Sequence, residues 1–161
     1  MPDVVCDTSP LQYLYQIGML HLLPQLVDTI IVPPAVVDEI AVGRALGVRL
    51  PDLSTLAWVQ VRHPASEKAL PLINDLGPGE TEVLMLGLEL EAVVILDDGL
   101  ARRIAESVGL KFTGTLGLML DAKRAGHIPA IHPLLDQLQA LRFRVSPQTR
   151  KMLLELAGEA T

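Results

Sequence analysis

The chain has 161 residues, half of them hydrophobic, with a mean hydropathy of +0.38, which suits one domain over 1–161 built on a single substantial core. Its net charge of −6 and pI near 5.1 count against a nucleic-acid partner on overall balance. No apolar run reaches the roughly 18 to 20 residues of a membrane span and no leader pattern opens the chain, so a soluble, cytoplasmic protein is expected. The lone Cys6 excludes a disulfide framework and a cysteine zinc site and reads as a buried structural thiol.

From the N-terminus, Val4-Val5-Cys6-Asp7 predicts a short strand, and Thr8-Ser9-Pro10 opens a helix with apolar spacing at Leu11, Leu14 and Tyr15. A brief segment around Met19 to Leu26 leads to a strand at Thr29 to Val32. Pro33-Pro34 then starts a helix carrying Ala35, Val36, Glu39 and Ile40. Glycines and proline predict that this helix gives way to a mobile loop from Gly43 to Pro51, before an edge strand at Trp58 to Val61. A helix is expected over Ser66 to Leu76, a break at Gly77-Pro78-Gly79, and another helix from Glu80 to Glu91.

Val93 to Leu96 predicts the fourth strand, ending on Asp97-Asp98. A helix from Leu100 to Val108, closed by Gly109, precedes a fifth strand at Leu110 to Thr113. Gly114-Thr115 caps a helix through Ala125 and Gly126, and two C-terminal helices follow from about residue 131, around Ile131 to Leu141 and from Gln148 to Leu156. Strands alternating with helices imply an α/β fold with a parallel sheet covered on both faces, whose ligands gather at the carboxyl ends of the strands.

Four acids stand at marked places: Asp7 after the first strand, Glu39 and Glu80 early in helices, and the Asp97-Asp98 pair after the fourth strand. Each has a plain alternative. Asp7 is placed to cap a helix, and Glu39 and Glu80 suit the positive end of the helix dipole. Glu82, two residues beyond Glu80 and about 200° around a helix, reads as exposed. The basic residues are uneven, with nine Lys or Arg against three acids from Arg102 to Lys151, a local +6 that leaves −12 for the rest of the chain. That asymmetry suits an acidic pocket beside a basic segment, and equally suits ordinary solvated helix faces. Arg102, Arg103, Lys123 and Arg124 are candidates for phosphate contact. The four histidines show no ligand spacing, and aromatic residues at 3% offer few stacking platforms for bases.

Taken together, Asp7-Thr8-Ser9, Glu39 in a Pro-x-x-x-x-Glu helix start, Gly-Pro-Gly-Glu at 77–80 and Asp97-Asp98 resemble the PIN-domain nucleases over nearly the whole chain, to about Glu159. Gly114-Thr115-Leu116-Gly117 and Ala122-Lys123 with Gly126 are similar to the VapC-like subgroup, toxin ribonucleases paired with a small antitoxin. The resemblance implies a three-layer α/β sandwich with a five-stranded parallel sheet of order 3-2-1-4-5. It also implies an acidic pocket binding Mg²⁺ or Mn²⁺, RNA as substrate, a small cognate antitoxin and a homodimer as partners, and no membrane. Asp7, Glu39, Glu80 and Asp98 match the family's four acids as catalytic residues, with Asp97 adjacent to the fourth. Where the third acid is often aspartate, this chain has glutamate.

Chemistry agrees with that grouping, because Mg²⁺ and Mn²⁺ take oxygen ligands and need neither Cys nor His. Asp7, Asp98, Asp97 and Glu80 are the candidate metal ligands, and Thr8, Ser9, Arg102, Arg103 and Lys123 the candidate substrate-binding residues. A haloacid-dehalogenase-like phosphatase also places an aspartate after its first strand, but its second aspartate two residues on is Ser9 here. A phospho-accepting receiver domain fits less well, since its acidic pair lies near the first strand. A PIN-like module that binds RNA or protein without cutting is the non-enzymatic alternative.

Overall fold

A computed structural model describes residues 3–65 and 76–159. β1 (Val4–Cys6) is followed by α1 (Thr8–Gln16), α2 (Leu22–Val27), β2 (Ile30–Val32), α3 (Pro34–Ala45) and β3 (Val59–Val61). Then come α4 (Pro78–Leu90), β4 (Val93–Ile95), α5 (Gly99–Ser107), β5 (Phe112–Thr113), α6 (Thr115–Arg124), α7 (His132–Ala140) and α8 (Pro147–Leu156). The five strands form one parallel sheet in the order β3-β2-β1-β4-β5, as expected.

The topology follows from the apolar runs. Every residue of β1 and β2 is buried, which is what a parallel strand covered on both faces demands, whereas β3 at the edge is largely exposed. Helix α4 packs on β1 and β4 with α3 and α5 beside it, while α6 packs against α1 and α2. Val4, Val5 and Cys6 stand in register with Val93, Val94 and Ile95. The β1–β4 ladder continues one step further, with the Asp7 amide donating to the Ile95 carbonyl at 2.9 Å. The first acid therefore leaves the sheet at a fixed point.

Several boundaries differ from the sequence reading. Helix α4 starts two residues earlier than expected, with Gly77 as its N-cap and Pro78 in its first turn, where a missing N–H leaves no bond unmade. Gly43 lies inside α3, and the segment after it folds back: Leu50 and Pro51 are buried, with the Leu50 side chain against Gly43. That packing replaces the expected mobile loop. Glu82 is not solvated, since its Oε1 accepts the Ala35 amide at 3.2 Å and satisfies a free donor at the start of α3. The helix expected over 66–76 lies outside the described residues, apart from Leu76. No helix among the described residues is long and apolar enough to cross a membrane.

Candidate active site

Parallel strands ending side by side bring Asp7 and Asp97 to one edge of the sheet, β1 releasing Asp7 directly and β4 releasing Asp97 one residue after Leu96. The first turns of α1 and α4 add Ser9 and Glu80. These residues, together with Tyr13, Asp98, Arg142, Phe143 and Arg144, line a groove of about 420 Å³. Glu39 adjoins it through Thr8, whose hydroxyl donates to Glu39 Oε2 at 2.6 Å, while the Gly79 amide donates to Glu39 Oε1 at 3.1 Å. One carboxylate thus ties the start of α1 to the start of α4. Gly79 is required by that approach, since a Cβ there would sit 2.5 Å from Glu39 Oε1.

Asp7 is 4% exposed, yet its Oδ1 has no hydrogen-bond partner. It stands at the N-cap of α1 with no side-chain capping bond, so the helix-cap alternative does not account for it. Burial pushes its carboxyl from the ordinary 3.8 up to about 7; the Thr8 amide opposes that shift, and the negative charges of Glu80, Glu39 and Asp97 add to it. Beneath it, the Cys6 thiol is fully buried and donates to the Asp7 carbonyl at 3.3 Å. Burial, with Asp7 and Asp97 nearby, pushes that thiol well above its usual range, as befits a structural rather than a nucleophilic cysteine.

The two adjacent aspartates divide their work. Asp97 accepts the Ser9 hydroxyl at 3.0 Å, the Thr115 amide at 2.8 Å and the Thr115 hydroxyl at 2.7 Å. Asp98 is exposed at the rim, and its Oδ2 caps α5 by accepting the Ala101 amide at 2.9 Å. Gly114 makes room for this arrangement, since a Cβ would meet Asp97 Oδ1 at 2.7 Å and the Leu96 carbonyl at 3.2 Å. Thr115, fully buried, holds the Asp97 carboxylate in place, a contact that neither its helix-start position nor the Gly114–Gly117 motif reveals.

The candidate basic residues separate. Lys123 Nζ bonds Glu159 Oε2 at 3.0 Å, and Glu159 also accepts the Ile131 and His132 amides. Lys123 therefore ties α6 to the C-terminal segment and is not among the residues that line the groove. Arg102 lies over the Phe112 ring, 5.0 Å from its centre, and neither it nor Arg103 lines the groove. Arg142 and Arg144, which the sequence reading counted only as charge, do line it. The signal was the Arg-Phe-Arg triplet between two helices.

Among the described residues, no group of three or more His, Cys, Asp or Glu side chains is placed so that it could hold a metal ion; Glu39 and Asp97 are turned to hydroxyl and amide donors. The orphaned Asp7 Oδ1 and the acids gathered around it nonetheless suit a hard divalent cation, for which oxygen donors and negative charge are the requirement. The family model described as a PIN domain matches residues 3–159. No curated protein matches the chain.

Proposed function

The chain belongs to the PIN-domain family, and on that premise we propose that it is a Mg²⁺- or Mn²⁺-dependent endoribonuclease of the toxin type. PIN domains are generally nucleases that use divalent metals. The observation that carries the reading is Asp7 Oδ1, a buried, unpartnered carboxylate oxygen close enough to Glu80, Glu39 and Asp97 for their charges to raise its pKa. A buried anion without a donor is costly, and a cation removes that cost.

In this reading Asp7, Asp97 and Glu80 hold the metal, and Asp98 keeps the rim as a helix cap that also faces substrate. Bound there, the ion supplies charge relief at the phosphate oxygens and a more acidic water for in-line attack. Thr8 and the Gly79 amide hold Glu39 in place, and Ser9 and Thr115 fix the Asp97 carboxylate. Asp7, with its carboxyl raised to about 7, carries a proton for part of the time at neutral pH, and a cation bound at this site would favour its ionised form. The Gly114–Gly117 segment supports the toxin assignment and hence a small antitoxin as partner. Exposed Met152 and Leu156 on α8 suit pairing into a homodimer.

The test is cleavage of a mixed panel of labelled RNAs by purified protein with Mg²⁺ or Mn²⁺, with EDTA and Asp7→Asn as controls. Cuts lost in both controls are expected. Folded protein that leaves every RNA intact with either metal would sink the proposal in favour of a non-cutting binding module.

A further inference from the structure

We propose that Arg142 and Arg144 form the phosphate clamp of the groove, gripping the backbone of a single-stranded RNA on either side of the bond presented to the acids. The inference rests on the nuclease reading and adds to it the residues that hold substrate. An acidic groove repels a polyanion, so a nuclease built on one needs fixed positive charge at its mouth. Three of the nine basic residues of the segment are engaged elsewhere: Lys123 with Glu159, Arg150 with Asp136 at 2.7 Å, and Arg102 over Phe112. Arg142 and Arg144 line the groove with Asp7, Glu80, Asp97 and Asp98. Neither guanidinium has an acidic partner among the described residues.

The backbone supplies an independent observation. Helix α7 ends in a Schellman motif, with the Phe143 amide bonded to the Leu138 carbonyl and the Arg142 amide to the Gln139 carbonyl, both at 3.0 Å. The residue that turns the chain in this motif is normally glycine, yet Arg142 occupies it at φ 68°. Asp28 and Glu91 are the other non-glycine residues at positive φ among the described residues, and of the three only Arg142 lines the groove. The segment is also held firmly. The Phe143 ring meets Tyr13 of α1 edge-on, 4.9 Å between centres at 85°, and Gln139 donates to the Val145 carbonyl at 3.4 Å. Phe143 thus anchors the triplet on the helix that begins at Asp7, with an arginine on each side of the anchor.

The experiment compares cleavage kinetics and melting temperature for Arg142→Gly, Arg142→Lys, Arg144→Gln and, as a control, Lys111→Gln, which lies at the opposite end of the sheet before β5. Arg142→Gly is expected to melt at or above the wild-type temperature while KM rises roughly 5- to 20-fold with kcat largely kept. Arg144→Gln is expected to raise KM similarly, and Arg142→Lys to recover most of the loss. The dependence of kcat/KM on salt should flatten by about 0.7 in log–log slope per arginine removed. Wild-type KM in Arg142→Gly and Arg144→Gln, a KM increase as large in Lys111→Gln, or an activity loss that merely follows a lower melting temperature would each overturn the clamp while leaving the nuclease reading intact. Wild-type protein that cuts no RNA would remove both.

Discussion

Thr115 bonds both oxygens of Asp97, its amide reaching Oδ1 at 2.8 Å and its hydroxyl Oδ2 at 2.7 Å. The start of α6 thereby fixes an acid delivered by β4. Thr115→Val keeps the shape and the amide bond but removes the hydroxyl. A hydrogen bond to a charged group is worth about 1.5–3 kcal/mol, so a lower melting temperature and roughly a tenfold loss of metal-dependent cleavage are expected. Melting curves beside initial cleavage rates decide it, and unchanged rates would mean that Thr115 is only a helix start.

Asp7 weakens the metal-free fold at neutral pH. Its carboxyl titrates near 7 in the folded chain against an ordinary 3.8, so the folded state binds the proton more tightly. Its favourable contribution is complete below about pH 4 and is lost as pH rises through 7, a change on the order of a few kcal/mol. In EDTA, Asp7→Asn should melt higher than wild type at pH 8, with the gap narrowing towards pH 4; with Mg²⁺ or Mn²⁺ present, its cleavage should fall at least a hundredfold below wild type. Added Mn²⁺ should raise the wild-type melting temperature more than that of the variant. A variant that melts lower at pH 8 would contradict the arrangement.

Gly79→Ala separates stability from activity. The added methyl meets the far end of the Glu39 side chain, which can swing away, and alanine favours the helix by up to about 1 kcal/mol. Melting temperature should hold within a few degrees while cleavage drops several-fold, because Glu39 no longer joins Thr8 to Gly79. Rates equal to wild type would show that Glu39 has no part in the site.

Glu159 acts on folding alone. Burial by itself would raise its pKa, but bonds from the Ile131 amide, Lys123 and the amide and ring of His132 hold it down to about 2 from the ordinary 4.5. Its contribution is therefore present above pH 4.5 and is lost as pH falls towards 2. Glu159→Gln should lower the melting temperature at pH 7, bring that penalty close to zero near pH 2, and leave KM for RNA unchanged. Lys123→Ala should also leave KM unchanged, and a raised KM would return Lys123 to the substrate-binding set.

The parallel α/β class was legible because apolar strands alternate with helices, and the order 3-2-1-4-5 came from the resemblance to the PIN-domain family; that Asp7 and the Asp97-Asp98 pair follow the first and fourth strands was legible because each apolar run stops on them. Which of the paired aspartates turns inward was not legible. That depends on Thr115, eighteen positions later, meeting Asp97 only after β5 has docked. Glu82 likewise looked exposed, because its partner, the Ala35 amide, comes from a helix 47 residues earlier in the chain. The partner of Lys123 was hidden for the same reason, Glu159 lying 36 residues on. Periodicity describes one element at a time, and these contacts join two.

The amide of Asp7, bonded to Ile95 as the last rung between β1 and β4, makes the acidic end of the sheet share the fate of the protein's centre. Its proton can leave only when the two middle strands separate, so in deuterated buffer it should be among the slowest to exchange, alongside Val5 and Val94. A solution that frays the outer helices will leave that end closed, and the groove should keep its shape until the whole molecule melts.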